Sequence, residues 1–355
     1  MGMENERKDY LKRLVETHGT PGYEERVQAV FRERVESACE QVSTDVMGSV
    51  TGVVNADGTV RIMLDGHSDE IGFLVNYIDD DGYLWFKTSG GWDTEVVVSQ
   101  RVLVHTAEGP IPGVIGKRAI HLMNADDRKK KSEIENLWVD IGAHDKEEAQ
   151  KYVKVGDPIT MDAPFREVLG GRAVAKSFDN RIGLFAVSET LRSVGKDLEA
   201  AVYGVSAVQE EIGLRGARTA AYTIEPHVGI AIDVTHATDY PDISKKKHGD
   251  VTLGGGPVIA RGPNINSKVY RRLIEVAEAE GIPYQLEAEG CGTPTDANPI
   301  QLTRGGVATG LVSLPLRYMH NPCEMLHLDD LDHLVTLLVA FCRSVKASDD
   351  WTPSL

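Results

Sequence analysis

No stretch of this 355-residue chain approaches the ~18 consecutive apolar residues that a helical membrane span requires, so a helical membrane protein is excluded. Cysteine is scarce. Cys39, Cys291, Cys323 and Cys342 are scattered and include no CxxC pair, which removes a disulfide framework and leaves reduced, mostly buried thiols as the expectation. Positive charge is also in short supply. With 38 Lys and Arg against 54 Asp and Glu, the net charge of −16 argues against nucleic acid or an anionic membrane as partner. Two short basic runs, Arg128 to Lys131 and Lys245 to Lys247, lie among polar residues with no interleaved aromatics and read as solvated loops. The first residues, MGMENERKDYLKRL, carry no apolar signal core, and Gly2 is not followed four positions later by Ser or Thr. A cytoplasmic protein is the expectation.

What is present is ordinary for a globular chain: 41% hydrophobic and 26% charged residues, at a length that fits two or three domains. Tyr10, Leu11, Leu14 and Val15, then Val27, Val30, Phe31 and Val35, recur at helical spacing, with Gly19-Thr20-Pro21-Gly22 breaking the pattern between them. From about 42 to 64, short β-branched runs alternate with turns. Between about 73 and 164 the texture changes to short strands, at 82–87, 96–104, 112–115, 137–141 and 158–161. The only room for a helix there is near 146–154. After Phe165 apolar strands alternate with helices, the rhythm of an α/β sheet. The expected organisation is a discontinuous α/β domain, 1–72 and 165–355, interrupted by a β-rich insert at 73–164.

Several apolar runs end abruptly in acids or histidine. Val60–Leu64 runs into Asp65-Gly66-His67-Ser68-Asp69-Glu70, and Arg172–Ala175 into Lys176-Ser177-Phe178-Asp179-Asn180. Val202–Val208 ends at Gln209-Glu210-Glu211, Val228–Ile232 at Asp233, and Val307–Leu314 precedes Arg317-Tyr318-Met319-His320. In an open α/β sheet the carboxyl ends of strands face one crevice, so five strands would bring these groups together. Singly, each has a plainer explanation: Asp179 and Asp233 as helix caps, Glu210-Glu211 as a solvated pair, each histidine as a hydrogen-bonded strand end. Jointly the plainer readings weaken, because clustered carboxylates repel unless protons or cations neutralise them. Imidazole and carboxylate without thiolate suits zinc, cobalt or manganese.

Four stretches carry a resemblance: Gly66-His67-Ser68-Asp69-Glu70-Ile71-Gly72, Phe178-Asp179-Asn180-Arg181, Gln209 to Ala217, and Asp233-Val234-Thr235-His236. With His320-Asn321 and Glu324-Met325 they resemble, in order and across essentially the whole chain, the tetrahedral (TET) aminopeptidases, a group that includes glutamyl and deblocking aminopeptidases. The resemblance implies a phosphorylase/hydrolase-like three-layer α/β sandwich with a mixed sheet and a PDZ-like dimerisation insert. Dimers would assemble further into a hollow tetrahedral dodecamer. It also implies two divalent ions, zinc or cobalt with manganese compatible: His67 and Asp233 on one, Glu211 and His320 on the other, Asp179 bridging. Glu210 would be the general base, Asp69 the carboxylate that orients His67, and the Asp179-Asn180 bond cis. Short peptides would lose their N-terminal residue.

Other features carry less. His236 reads as a substrate contact or a structural histidine. Cys291-Gly292-Thr293-Pro294-Thr295-Asp296 resembles a loop near the substrate pocket, with Pro294 and Pro299 departing from the usual wording. Cys323 reads as a buried thiol rather than a ligand, and Gly254-Gly255-Gly256 as a tight turn near the site, since no strand–GxGxxG–helix context surrounds it. Competing functions are a related dinuclear deacylase or carboxypeptidase, a metal-free glycosidase with two carboxylates across a sugar bond, and a non-catalytic metal-stabilised binding protein.

Overall fold

The computed structural model describes residues 3–353. The helical spacing near the N-terminus becomes α1 (Asn5–Glu16) and α2 (Glu25–Val35), whose periodic apolar residues are buried. Strands β1 (Gln41–Thr44), β2 (Val50–Val54) and β3 (Val60–His67) then open the large sheet. In β3, Ile62 and Leu64 pack into one core and Met63 into another, so Asp65 and His67 share the parity of Met63.

The chain next leaves the sheet. Strands β4 (Gly72–Ile78), β5 (Leu84–Ser89), β6 (Arg101–Thr106), β7 (Gly109–Gly116), β8 (Trp138–Asp140) and β9 (Pro158–Met161) close a barrel in the order β4-β5-β8-β7-β6-β9. Phe73, Leu84, Val102, Val104 and Ile159 fill its own core, apart from the cores of the large sheet. Two α-helices lie within this segment, α3 (Thr94–Val97) and α4 (Lys146–Tyr152), besides three short 3-10 turns at Ile120–Leu122, Asp127–Lys129 and Ile134–Asn136. The first corrects the expected strand at 96–104: Asp93 caps a helical turn by accepting from Glu95 N at 2.9 Å, and the strand begins only at Arg101.

After the barrel come β10 (Arg166–Val168), β11 (Arg172–Ala175), α5 (Phe178–Ser193), β12 (Ala200–Ala207), α6 (Arg215–Ile224), β13 (Val228–His236) and α7 (Lys245–His248). The remainder is β14 (Val258–Arg261), α8 (Ser267–Glu280), β15 (Gln285–Ala288), α9 (Ala297–Gln301), β16 (Ala308–Leu316), β17 (Glu324–His327) and α10 (Leu328–Ser344). The large sheet has the order β1-β2-β12-β3-β13-β16-β14-β15. Its centre, β12-β3-β13-β16, is parallel, whereas β2 on β12 and β14 on β16 are antiparallel, so the sheet is mixed. Helices α1, α2, α5, α8 and α10 cover one face and α6 with α9 the other.

Helix α5 lies unusually close to β3. A Cβ on Gly66 would stand 2.8 Å from the Gly183 carbonyl carbon, so only glycine fits where the two backbones meet. That approach carries the start of α5 to the carboxyl end of β3.

Two smaller expectations need correction. Cys291 and Cys323 are exposed and only Cys342 is buried; beside Cys323 the inward position is taken by Glu324, which is buried. Lys245 to Lys247 form one exposed helical turn rather than a loop. The Gly254–Gly256 turn is held by Asp330, which accepts from Gly254 N and Gly256 N at 2.8 Å each, and lies against His327. Among the described residues no helix is long and apolar enough to cross a membrane.

Candidate metal centre

Four adjacent parallel strands deliver most of the polar cluster. His67 is the last residue of β3, Glu210 and Glu211 follow β12, Asp233 lies within β13, and His320 follows β16. Asp179 arrives differently. Its preceding strand, β11, belongs to a separate three-stranded sheet, β10-β11-β17, and the residue itself sits in the first turn of α5. Five strands of one sheet were expected; four strands and a helix start are found. Asp179 caps nothing, with non-helical φ −74° and ψ 107°, and its peptide bond to Asn180 is cis. Asp233 is no cap either, since β13 continues past it to His236.

The two carboxylate oxygens of Asp179 face two imidazoles. Oδ1 lies 3.2 Å from His67 Nε2 and Oδ2 lies 3.3 Å from His320 Nε2. Glu211 Oε1 is 3.5 Å from His320 Nε2, and Glu210 Oε2 is 3.8 Å from His67 Nε2. Among the described residues, three sets of ligand-type atoms lie within 4.8 Å of one another: His67, Asp179 and Asp233; Asp179, Glu211 and His320; and His67, Glu210 and Glu211. Cys323 belongs to none of them.

Carboxylates outside these sets hold the backbone. Asp69 accepts the Glu210 N–H on Oδ1 and the Glu211 N–H on Oδ2, both at 3.0 Å. His67 Nδ1 is nearer to the Asp69 carbonyl oxygen, at 3.1 Å, than to the Asp69 carboxylate, at 3.5 Å. Glu324, fully buried, accepts from Asp179 N at 3.0 Å and from His320 N at 3.1 Å. The resemblance carried Glu324 without a role. Its position three residues beyond Asn321 gave no sign that it would grip two distant segments.

The electrostatics are those of a site with surplus negative charge. Burial, reinforced by Asp233, Asp296 and Glu211, pushes Glu210 up to about 10, and burial likewise raises Glu211 and Asp233. The carboxylates of Asp179 and Glu211, 3.3 and 3.5 Å from its Nε2, lift His320 to about 11. Burial alone would lower His67, but Glu210, Asp179 and Asp69 raise it well above its ordinary value. Among the described residues Glu211 Oε1, though buried, has no hydrogen-bond partner. Crowded oxygens, two imidazoles and an unsatisfied carboxylate atom fit divalent cations of the zinc, cobalt or manganese type.

A cavity of about 270 Å³ opens beside the cluster. Besides the cluster residues it is lined by His236, Glu287, Glu289, and Thr293-Pro294-Thr295 of the loop picked out in the sequence. Asp65 and Asp296, both buried, face one another, a pair no motif announced. The barrel also reaches the site: a Cβ on Gly91 would lie 3.5 Å from His320 Nδ1.

A mixed sheet whose central parallel strands end in a nest of imidazoles and carboxylates is the architecture of a metal-dependent peptide hydrolase. The chain belongs to the M42 glutamyl aminopeptidase family, whose family model matches residues 48–337. A lysyl aminopeptidase of Pyrococcus furiosus is 37% identical over 97% of this chain and 99% of its own. The TET aminopeptidase of a marine sediment archaeon of the Thaumarchaeota superposes with a TM-score of 0.93, at 35% identity over 97% of each chain. The TET1 peptidase of Pyrococcus horikoshii, which can assemble into a tetrahedron or a large octahedral shell, superposes with a TM-score of 0.85. It is 32% identical over 96% of this chain and all of its own (100%).

Proposed function

We propose that this peptidase removes N-terminal residues from short peptides with two divalent cations, zinc or cobalt, and Glu210 as general base. His67 and Asp233 would hold one cation, Glu211 and His320 the other, with Asp179 shared between them. The observation that carries the reading is the placement of the Asp179 oxygens, 3.2 and 3.3 Å from the two imidazoles. Bound there, the cations would supply Lewis acidity to the scissile carbonyl and the attacking water. Glu210 removes a proton from that water and returns it to the leaving amine. Asp69 positions Glu210 through its backbone N–H. The cavity receives the N-terminal residue, and its carboxylates attract a free α-amine.

A carboxypeptidase or a deacylase of N-acyl amino acids must bind a substrate carboxylate, for which a cation on the wall would serve. Among the described residues, Lys and Arg are absent from the cavity lining, which favours the aminopeptidase. The barrel, residues 73–164, is the PDZ-like dimerisation element in this reading, and the two stretches around it form the catalytic domain. The exposed Ile120 and Leu122 beyond β7 suit a contact surface, and the kinship with TET1 supports a tetrahedral dodecamer. Free cysteines suit a reducing cytoplasm.

The test is Glu210→Gln. The variant should bind the same metal per chain as the wild type, measured by elemental analysis, while hydrolysis of aminoacyl anilides falls about 10²- to 10⁴-fold. Substantial remaining turnover removes Glu210 from the role of base. A metal-loaded wild type inert on a broad peptide panel would point to a binding protein instead.

A further inference from the structure

Beyond the carboxylates of the metal cluster, the 270 Å³ cavity carries two more, Glu287 and Glu289. They stand two residues apart where β15 runs out, so the strand's alternation turns both the same way. Among the described residues neither takes part in an ion pair of 4 Å or less. Thr235 Oγ1 donates to Glu287 Oε2 at 2.7 Å, which fixes the carboxylate. Thr235 is itself two residues past Asp233, about 7 Å along an extended strand. The pinned carboxylate therefore stands about one long side chain from the proposed metal ligands.

We infer that Glu287 and Glu289 form the wall that selects the substrate's N-terminal side chain, and that they select the cationic ones, lysine and arginine. The inference rests on the aminopeptidase reading above. Two metal cations offset the carboxylates that ligate them, but nothing on this wall offsets Glu287 and Glu289. Burial, with Glu289 adding to it, raises Glu287 to about 7, the behaviour of a carboxylate facing no cation. A lysyl ammonium or arginyl guanidinium supplies that cation through a charge-assisted hydrogen bond. A glutamyl side chain meets like charge, and a leucyl side chain leaves Glu287 desolvated and unpaired.

The experiment compares kcat/KM for lysyl, arginyl, leucyl and glutamyl p-nitroanilides on metal-loaded wild type, Glu287→Gln and Glu289→Gln. The wild type should favour the lysyl and arginyl substrates about 10- to 100-fold over the leucyl one, with the glutamyl substrate last. Glu287→Gln should collapse the lysyl-to-leucyl ratio by a similar factor, and Glu289→Gln by less. A ratio is insensitive to the fraction of folded protein. Preference of the wild type for leucyl or glutamyl substrates overturns the specificity and leaves the peptidase standing. Equal losses on all four substrates overturn it too, assigning the carboxylates to the α-amine. Inertness on all four, with metal bound, overturns the aminopeptidase reading itself.

Discussion

Asp69 holds Glu210 and Glu211 by their backbone, one carboxylate oxygen to each N–H at 3.0 Å. The carboxylate is fully buried, and its chain neighbours lead straight to His67. One residue therefore fixes the spacing between the strand that bears His67 and the turn that bears the proposed base. Asp69→Asn keeps an acceptor for one N–H but turns an amide NH2 toward the other, so two donors meet. A loss of about 1–3 kcal/mol in stability should follow. Activity should drop about 10- to 100-fold with weakened metal retention. Denaturant unfolding, kinetics and metal analysis on the same preparation check this. Unchanged kinetics would mean that Glu210 does not depend on Asp69.

Metal removal should act on stability as well as on rate. Without cations, Glu210, Glu211 and Asp233 are raised by burial, and their mutual repulsion adds to the cost of holding them together. Ions that bind the folded state alone stabilise it by RT ln(1 + [L]/Kd), about 2.7 kcal/mol at a hundredfold excess over Kd. Dialysis against a chelator should abolish hydrolysis and lower the melting temperature by several degrees, and zinc, cobalt or manganese should restore both. A melting curve indifferent to chelator and metal would count against a cation site among these residues.

How much of this could be read beforehand differs by element. The run Val60–Leu64 followed by His67 announced both a strand and its business end, because a buried parallel strand must be apolar until it leaves the core. The same held for the approaches to Glu210 and His320. Arg172–Ala175 looked alike but pairs with Glu324–His327 in a small sheet of its own, and four residues of local pattern contain nothing about which strand will lie alongside. Val96 and Val97 read as the start of a strand on β-branching alone; the Asp93 cap that draws them into a helical turn outweighed that preference. The target of the Asp69 carboxylate was invisible because its partners are main-chain groups 141 and 142 residues away. Glu287 and Glu289 were invisible for another reason. On a half-exposed edge strand, alternating polar residues are the default, and only the closing of the cavity distinguishes them from solvated ones.

The barrel and the α/β layers meet at two stacked histidines, His18 before the turn into α2 and His105 on β6, ring centroids 3.8 Å apart and planes at 17°. His105 Nε2 lies 2.8 Å from Thr160 Oγ1. Burial, with Arg26 next, lowers His18 to about 4; burial, with His18, Lys176 and Arg26, lowers His105 to about 3. Glu70 works the other way on His18, and Arg181 adds to its lowering. Above pH 6.5 both rings are neutral folded or unfolded, and the pair contributes no pH dependence. As pH falls below 6.5 the unfolded chain takes up protons that the folded pair refuses, so stability declines down to about pH 4 through His18 and about pH 3 through His105. His105→Phe keeps a stacking ring and removes one titration. Between pH 7 and 5 its unfolding free energy should fall by about 1–2 kcal/mol less than that of the wild type. Parallel pH profiles of the two proteins would remove His105 from this account.

Close by, Glu70 sits between two buried cations. Lys176 Nζ lies 2.6 Å from Oε2 and 2.7 Å from Oε1, and an Arg181 terminal nitrogen lies 3.3 Å from Oε1. Arg181 also donates to the carbonyls of Leu14 at 3.0 Å and Thr17 at 2.9 Å. Burial pushes both Lys176 and Arg181 down from their ordinary values, with Glu70 holding them up. The two cations share one anion, which makes the partners unequal. Lys176→Met leaves Glu70 and Arg181 as a paired, neutral couple. Glu70→Gln leaves two cations facing each other with no carboxylate, at a cost of about 3–5 kcal/mol. In urea unfolding the Glu70 variant should therefore lose clearly more stability than the Lys176 variant. Its activity should fall with it, because Glu70 is three residues from His67 and the two cations flank Asp179. Equal losses from the two substitutions would show that the carboxylate is not shared and that each cation is satisfied elsewhere.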